Sequence, residues 1–290
     1  MSRRKVLEHR LHQYRELNNI LTAMKNLSLM ESAKLSRYQE TQNRVVESIQ
    51  EASTDFHDHF PQFRLPEGLP PGPLVLIGSE RGFCGDFNEK VVTAMDMTLA
   101  IHPQPNPDII AVGRRLAQRL EGDPRLVEAL DGPSVLEDLD HTLLELVNAL
   151  VNLCRKRGVN PLSITVFYHQ VEPHHMVEAG VKVYRPAEHF IRHAPKHPYP
   201  PLLEMDPALF HTQLVDDYLF AVLHGLFYTT LMAENLRRQQ QMQSALQQMD
   251  KKIAEWQMRL NSVRQEEITE EIEEIMLSAE HLLRKQREQM

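Results

Sequence analysis

Apolar side chains recur every three or four residues through the first part of the chain. The members of this stripe are Leu7, Leu11, Tyr14, Leu17, Leu21, Met24 and Leu27. Such spacing places them on one face of an α-helix. Because neither glycine nor proline occurs before Pro61, we expect one continuous helix from about Val6 that ends near His59.

A second apolar stripe near the other end of the chain follows a strict heptad spacing. Its members are Met242, Leu246, Met249, Ile253, Trp256, Leu260 and Val263. Alternate steps of four and three residues indicate a coiled-coil seam with a left-handed supercoil. The seam loses its phase between Arg264 and Thr269. It resumes at Ile272, Ile275, Ala279 and Leu282.

The two long helices at opposite ends of the chain need partners for their apolar faces. The simplest arrangement is antiparallel pairing with each other, so that the N-terminal helix covers the C-terminal seam. Alternatively, each could pair with a second copy of the chain in a dimeric coiled coil. The different periods of the two stripes favour pairing within one chain.

Between the two helices, short apolar runs alternate with helical patterns, and all 11 glycines and 18 prolines lie between Pro61 and Gly225. The predicted strands are 74–77, 109–112, 163–168 and 181–184, and the predicted helices are 86–101, 114–121 and 133–157. Ser134 is the expected N-cap of the last helix. This order predicts a Rossmann-like, mostly parallel sheet with its fourth strand at an edge.

The fold class that follows is α/β with long α-helices, in which an antiparallel coiled coil of the terminal helices flanks the sheet domain. The expected domains are an N-terminal coiled-coil helix at 1–60, the α/β domain at 61–207 and a C-terminal coiled-coil helix at 208–290.

Bulk composition excludes several classes of protein. A net charge of −8 argues against a general nucleic-acid binder, whose surface would be basic. Two cysteines, Cys84 and Cys154, provide no disulfide framework and lack the spacing of a redox pair. The sequence contains no run of 18 apolar residues, so it predicts no membrane-spanning helix.

One glycine-bearing segment follows a predicted strand and opens a helix, where a turn could cradle a phosphate. Its notable residues are Ser79, Arg81, Gly82, Cys84, Gly85 and Asn88. The glycine spacing matches neither the dinucleotide-binding nor the P-loop fingerprint, so a tight strand–helix corner is the favoured interpretation. His189, His193 and His197 recur every four residues, but the intervening Pro195 disfavours a metal-binding helix. We therefore expect no catalytic residue, cofactor or metal site.

Three separated segments resemble the gamma subunit of the F-type rotary ATP synthases. Residues 20–35 are similar to that family's N-terminal helix motif, and residues 79–88, SERGFCGDFN, resemble its S-D-R-G-L-C-G-x-F-N signature. Residues 264–275, RQEEITEEIEEI, resemble R-Q-x-x-I-T-x-E-L-x-E-I-V. The order and separation of the three segments fit the family over nearly the whole chain.

This resemblance implies a non-catalytic central stalk that couples ion flow to ATP synthesis or hydrolysis on other subunits. The implied partners are the alpha and beta subunits of the hexamer, the epsilon subunit and the membrane c-ring. Met24, Arg264, Gln265 and Thr269 would contact mobile loops of the catalytic subunits. The implied location is peripheral, at the cytoplasmic face of a bacterial inner membrane.

Some residues depart from the family pattern. Ser278 replaces a glycine, Asp86 stands where many members have glycine, and the final residues are polar. We interpret these departures as a divergent bacterial branch, with a sodium-linked alternative ATPase as one candidate. Two other hypotheses stay open: a small-molecule- or dinucleotide-binding Rossmann-like enzyme with helical arms, and a homodimeric coiled-coil scaffold.

Overall fold

A computed structural model describes residues 3–66, 69–171, 179–190 and 199–288. The chain divides into two compact units. Unit 1 comprises Met1–Asn26 and Met242–Met290, and unit 2 comprises Leu27–Gln241. Of the three spaced histidines noted in the sequence, His193 and His197 lie outside the described residues.

Two long helices dominate the secondary structure. Helix α1 runs from Arg3–His59 and helix α6 from Pro207–Glu288. The predicted end of α1 is confirmed, one residue before Phe60 and the prolines that follow. Asp206 caps α6, because its Oδ1 accepts the backbone N–H groups of Ala208 at 2.8 Å and Leu209 at 3.3 Å, and proline suits the first helical position.

Unit 2 contains a five-stranded sheet in the order β3-β2-β1-β4-β5. The strands are β1 Leu74–Ile77, β2 Ile109–Val112, β3 Leu126–Leu130, β4 Thr165–Val171 and β5 Ala179–Tyr184. Strand β1 pairs in parallel with β2 and β4, β2 pairs in parallel with β3, and only β5 is antiparallel. The mostly parallel sheet is confirmed, and β5 occupies the predicted edge.

Helices cover both faces of this sheet. They are α2 Phe87–Ile101, α3 Arg114–Arg119, α4 Leu139–Arg157 and the short α5 Pro186–His189. Alternate residues of β1 point to opposite faces. Val75 and Ile77 pack in a core built with α1, α4 and α6, whereas Leu74 and Leu76 pack in a second core with α2 and α3.

Strand β3 was not predicted from the sequence. Its central residues are exposed, and Glu128 interrupts the apolar pattern, so the segment has neither the buried run nor the alternation that indicates a strand. Its position at the sheet edge explains this composition, because an edge strand needs less apolar burial.

The predicted start of α4 was wrong. A 3₁₀ turn at Leu136–Asp138 precedes the helix, which begins at Leu139. Ser134 is not its N-cap. Instead, the Asp138 carboxylate reaches back and accepts the backbone N–H of Ser134 at 3.2 Å and of Val135 at 3.3 Å, so it ties down the residues at the start of the 3₁₀ turn.

Candidate functional site

Within unit 1, the N-terminal part of α1 pairs with α6 in antiparallel orientation. Lys25 donates a hydrogen bond to Gln243 at 3.1 Å, and Arg15 donates one to Gln257 at 3.0 Å. As the residue number falls on α1, that of its partner rises on α6. This order confirms the predicted antiparallel coiled coil within one chain.

The predicted heptad seam lies on the face of α6 that pairs with α1. Met242, Leu246, Leu260 and Val263 are buried. Met249, Ile253 and Trp256 are partly buried. On α1, Leu11 is 4% exposed. Strict heptad spacing keeps such a seam in contact with its partner over several turns.

Trp256 is the centre of an aromatic and cationic cluster in this seam. Its ring lies 6.1 Å from that of Tyr14, with 28° between the ring planes. The guanidinium carbons of Arg10 and Arg259 lie 5.3 Å and 5.2 Å from the indole centroid. Cation–π attraction and stacking therefore reinforce the apolar contact at this level of the coil.

Ion pairs mark the place where pairing ends. Arg4 lies 3.7 Å from Glu267, and Arg264 lies 3.6 Å from Glu8. The pKa of Glu8 is lowered, chiefly by its hydrogen bond from Arg4. These partly exposed pairs contribute modestly to stability, but they fix the register at the start of α1.

Beyond these ion pairs, α6 continues with an exposed apolar stretch, here called the free seam. Its exposed residues are Ile268, Ile272, Ile275, Met276 and Leu277. Ile272 and Ile275 belong to the predicted second seam, and they are 53% and 67% exposed. In the described part of the chain, α1 begins at Arg3, and the pairing described here does not extend to these residues.

Three of the four predicted partner-contact residues lie close to this transition. Arg264, Gln265 and Thr269 are exposed, and the Thr269 hydroxyl donates to the backbone carbonyl of Gln265 at 2.9 Å. Met24 is partly buried on α1. Arg264, Gln265 and Thr269 thus share a short surface on α6, and Met24 does not belong to it.

In unit 2, the predicted structural motif forms the loop between β1 and α2. The Asn88 side chain accepts the backbone N–H of Ser79 and donates to its hydroxyl, both at 2.9 Å. These two bonds close the loop. Gly85 has a φ of 63°, a conformation that favours glycine. The motif is thus a tight strand–helix corner, as the sequence indicated.

Cys84 points into the protein from this loop and is 4% exposed. Burial raises the pKa of its thiol to about 12. A buried thiol of this kind is inert rather than nucleophilic.

A protein carboxylate occupies a position that a bound anion could take at the end of β2. Glu80 is 8% exposed, and its Oε2 accepts the backbone N–H groups of Arg114 and Gly132, both at 2.8 Å. The Arg114 guanidinium lies 3.0 Å from its Oε1. Backbone N–H groups that would otherwise attract a phosphate are therefore satisfied from within the chain.

At the neighbouring carboxyl ends of β1 and β4, side chains pack closely together. The His169 ring stacks on Phe87 at 3.5 Å, and its Nε2 donates to the Phe87 carbonyl at 2.8 Å. Burial lowers the pKa of His169 to about 4. Ala233 of α6 packs against Phe87 and Cys84. Parallel sheets bind ligands at the carboxyl ends of their strands, and between β1 and β4 the Phe87 and His169 rings take that space.

Among the described residues, no three His, Cys, Asp or Glu side chains are grouped as metal ligands. None of the described helices carries an apolar stretch long enough to cross a membrane.

Sequence reasoning missed the buried ion pair between Glu234 and Arg238 on α6, which lies against the β1–α2 loop. The i,i+4 spacing of opposite charges directly after a richly apolar helical stretch was the available signal. Glu80 was missed as well, because nothing in the sequence shows which backbone groups it meets.

Comparisons with known proteins agree with this architecture. A sequence model of the family described as ATP synthase matches residues 3–282. The ATP synthase gamma chain of Xanthomonas oryzae pv. oryzae is 25% identical over 278 residues, which are 90% of each chain. That of Bifidobacterium longum subsp. infantis is 23% identical over 308 residues, covering 97% of this chain and 98% of its own.

Two solved structures share the fold. The rotor of the Euglena gracilis mitochondrial ATP synthase superposes with a TM-score of 0.60 at 13% identity, covering 91% of this chain and 98% of the other. The central stalk of the Tetrahymena thermophila mitochondrial enzyme gives 0.56 at 14% identity, with 78% and 99% covered. The fold, the antiparallel coiled coil and the sequence match over residues 3–282 all agree. The chain belongs to the ATP synthase gamma-chain family.

Proposed function

We propose that the chain is the central rotor stalk of a rotary ATP synthase and couples ion flow through a membrane ring to ATP synthesis or hydrolysis on partner subunits. The observation that carries this proposal is the free seam of α6, which continues the coiled-coil axis with apolar residues that α1 does not cover. An exposed apolar strip of this kind is typical of a surface that meets another protein.

The proposed partners are the alpha and beta subunits of the nucleotide-binding hexamer, the epsilon subunit and the c-ring. Similar solved structures support this assignment, since they are described as an ATP synthase rotor and as an OSCP/F1/c-ring assembly. The catalytic sites belong to the partners, and this chain is non-catalytic. Its place is at the cytoplasmic face of a bacterial inner membrane.

The proposed roles of the segments follow the domains predicted from the sequence. Residues 1–60 and 208–290 form the shaft, and residues 61–207 form the foot. An asymmetric shaft presents a different face to each surrounding subunit, so chemically identical catalytic sites acquire different free energies. A packed two-helix seam without glycine or proline provides the stiffness that transmission of torque requires.

Arg264, Gln265 and Thr269 are the proposed contacts to mobile loops of the catalytic subunits, and Met24 is the proposed contact on α1. Arg264 is about half exposed even though it pairs with Glu8, so its guanidinium has donors for a second acidic partner. Charge-assisted hydrogen bonds from Arg are among the stronger polar contacts at protein surfaces.

The proposal is tested by co-expression of the chain with the other subunits from its source, followed by purification and assay of ATP-driven ion pumping. We expect the chain to co-purify with a nucleotide-binding hexamer. Gln265→Ala should lower the ratio of ions pumped to ATP hydrolysed, whereas Gln247→Ala, an exposed glutamine on the same helix, should leave the ratio unchanged. A stable monomer or homodimer that never associates with a hexamer would refute the assignment.

A further inference from the structure

The loop between β1 and α2, residues 79–86, is held in a conformation that its own backbone does not favour. Phe83 has a φ of 64° although it is not glycine, and its side chain is 62% exposed. Gly85 has a φ of 63°. A non-glycine residue in the left-handed region persists only where its surroundings impose it. The loop therefore needs an external support.

That support comes from α6. At the end of the loop, the Arg237 guanidinium pairs with Asp86 at 2.5 Å, and the buried contact is made by the next residue, Arg238. Arg238 is 5% exposed. Its Nε donates to the Gly82 carbonyl at 3.3 Å, and its Nη2 lies 3.5 Å from the Cys84 sulfur. Both of these acceptors flank Phe83, the strained residue. A single guanidinium thus contacts the loop on either side of its left-handed position.

Arg238 is itself oriented by two neighbours on the same helix. Its Nη2 donates to the Glu234 carboxylate, and its Nη1 donates to the Asn235 side chain at 2.9 Å. Glu234 is 3% exposed, so the ion pair is almost completely removed from water. Burial raises the pKa of Glu234, and the nearby Arg238 opposes that shift.

Stability alone does not explain a buried ion pair at this position. Desolvation of two charges is costly, and well-packed apolar residues often replace such a pair without loss of stability. Apolar residues could not, however, donate hydrogen bonds to a loop carbonyl and a thiol. The specific contribution of the pair is therefore the geometry that it imposes on the loop.

We propose that Glu234 and Arg238 are positioning residues that lock the β1–α2 loop onto α6 and thereby fix where Arg81 and Phe83 are displayed at the surface. Arg238 contacts the loop at Gly82 and Cys84. Glu234 accepts a hydrogen bond from the Arg81 backbone and holds the Arg238 guanidinium in the orientation that allows its contacts. The lock is a property of the folded chain itself, and it does not depend on the proposed function as a rotor.

Cys84 provides a direct readout of the loop. The chain has two cysteines, so in a Cys154→Ser background Cys84 is the sole thiol, and its alkylation by iodoacetamide at fixed pH reports opening of the loop. The decisive variant replaces both partners, Glu234→Leu with Arg238→Met. We expect its thermal midpoint to stay close to that of the parent while Cys84 reacts about tenfold faster or more, because charge-assisted hydrogen bonds to the loop are lost.

A second variant tests the proposal even if the double variant does not fold. Arg238→Lys keeps a positive charge beside Glu234, but one ammonium group cannot reproduce the forked contacts of a guanidinium. We expect intermediate labelling of Cys84 and faster hydrogen exchange confined to the peptide that contains residues 79–88. Arg157→Met removes an exposed ion pair with Asp108 elsewhere in unit 2 and should change neither measurement.

Labelling of Cys84 at the parental rate in a folded double variant would overturn the proposal. So would equal acceleration in the Arg157→Met control, because the thiol would then report general loosening of the unit. All measurements use the isolated full-length chain. Failure of the lock would therefore leave the rotor assignment untouched, and failure of the rotor assignment would leave the lock untouched.

Discussion

Two stretches of the same helix, α6, have similar apolar spacing but differ in the exposure of their apolar side chains. From Met242 to Val263 the seam residues are buried or half-buried against α1. From Ile268 to Leu277 the apolar side chains of the free seam are more than half exposed. The stretches lie on one continuous helix and share residue types, so helix propensity does not distinguish them.

This difference shows that apolar periodicity predicts which face of a helix will be buried. It does not predict whether the same chain or another molecule buries that face. The first stretch finds its partner in α1, whose N-terminus lies at the ion pairs of Arg4 and Arg264. The free seam extends past that point. An apolar surface in this position is best understood as one that another chain completes.

The largest contrast should follow from the same truncation in each stretch. Leu260→Ala removes a side chain that is 4% exposed, and we expect it to lower the free energy of unfolding by about 2–4 kcal/mol. Ile275→Ala, at a site that is 67% exposed, should change it by less than about 0.5 kcal/mol. Urea unfolding monitored by the fluorescence of Trp256, the sole tryptophan, measures both.

If Ile275→Ala were as destabilising as Leu260→Ala in the isolated chain, the free seam would be packed in solution, and the contrast between the two stretches would disappear. A homodimer is the arrangement most able to produce that result. Measurement of mass in solution for the parent chain is therefore the natural companion experiment.

A smaller effect is expected at the aromatic cluster. Trp256→Ala removes the stack on Tyr14 and the two cation–π contacts, and because the indole is only partly buried we expect a loss of about 2–3 kcal/mol. Met258→Ala, two positions away and 65% exposed, is the matched control. Far-UV circular dichroism during thermal unfolding compares the two, and equal midpoints would mean that the cluster does not stabilise the coil.

The smallest effect concerns the charges at the boundary between the two stretches. Because the folded-state pKa of Glu8 lies below its ordinary value of 4.5, its contribution to stability is present above that pH and is lost as the pH falls through the lowered pKa. Glu8→Gln should remove part of the acid sensitivity below pH 4.5. Unfolding midpoints at neutral pH and at low pH, in low salt, test this. An identical pH profile in both proteins would exclude a role for Glu8.

The sequence was sufficient to predict both long helices, their antiparallel pairing and four of the five strands. Those elements carry strong periodic signals, such as the steps of four and three from Met242 to Val263 or the apolar run Leu74–Ile77. Glycine and proline marked their ends, because these residues act through local backbone sterics that do not depend on the rest of the fold.

What the sequence did not show depends on contacts between distant residues. Strand β3 is half polar because it lies at an edge, and its partner β2 defines it. The bonds from Arg238 to Gly82 and Cys84 span more than 150 residues, and no local pattern encodes such a meeting. The partner-contact residues Met24, Arg264, Gln265 and Thr269 stay predictions, because their role is visible only in an assembly.

The carboxylate of Glu80, seated on the backbone amides of Arg114 and Gly132, has a consequence for what else can bind at the end of β2. A phosphate group would have to displace a covalently tethered carboxylate to reach those two N–H groups. Because that carboxylate belongs to the chain itself, the two amides stay paired whatever anions the solution contains. The geometry at this end of β2 is therefore set by the protein alone.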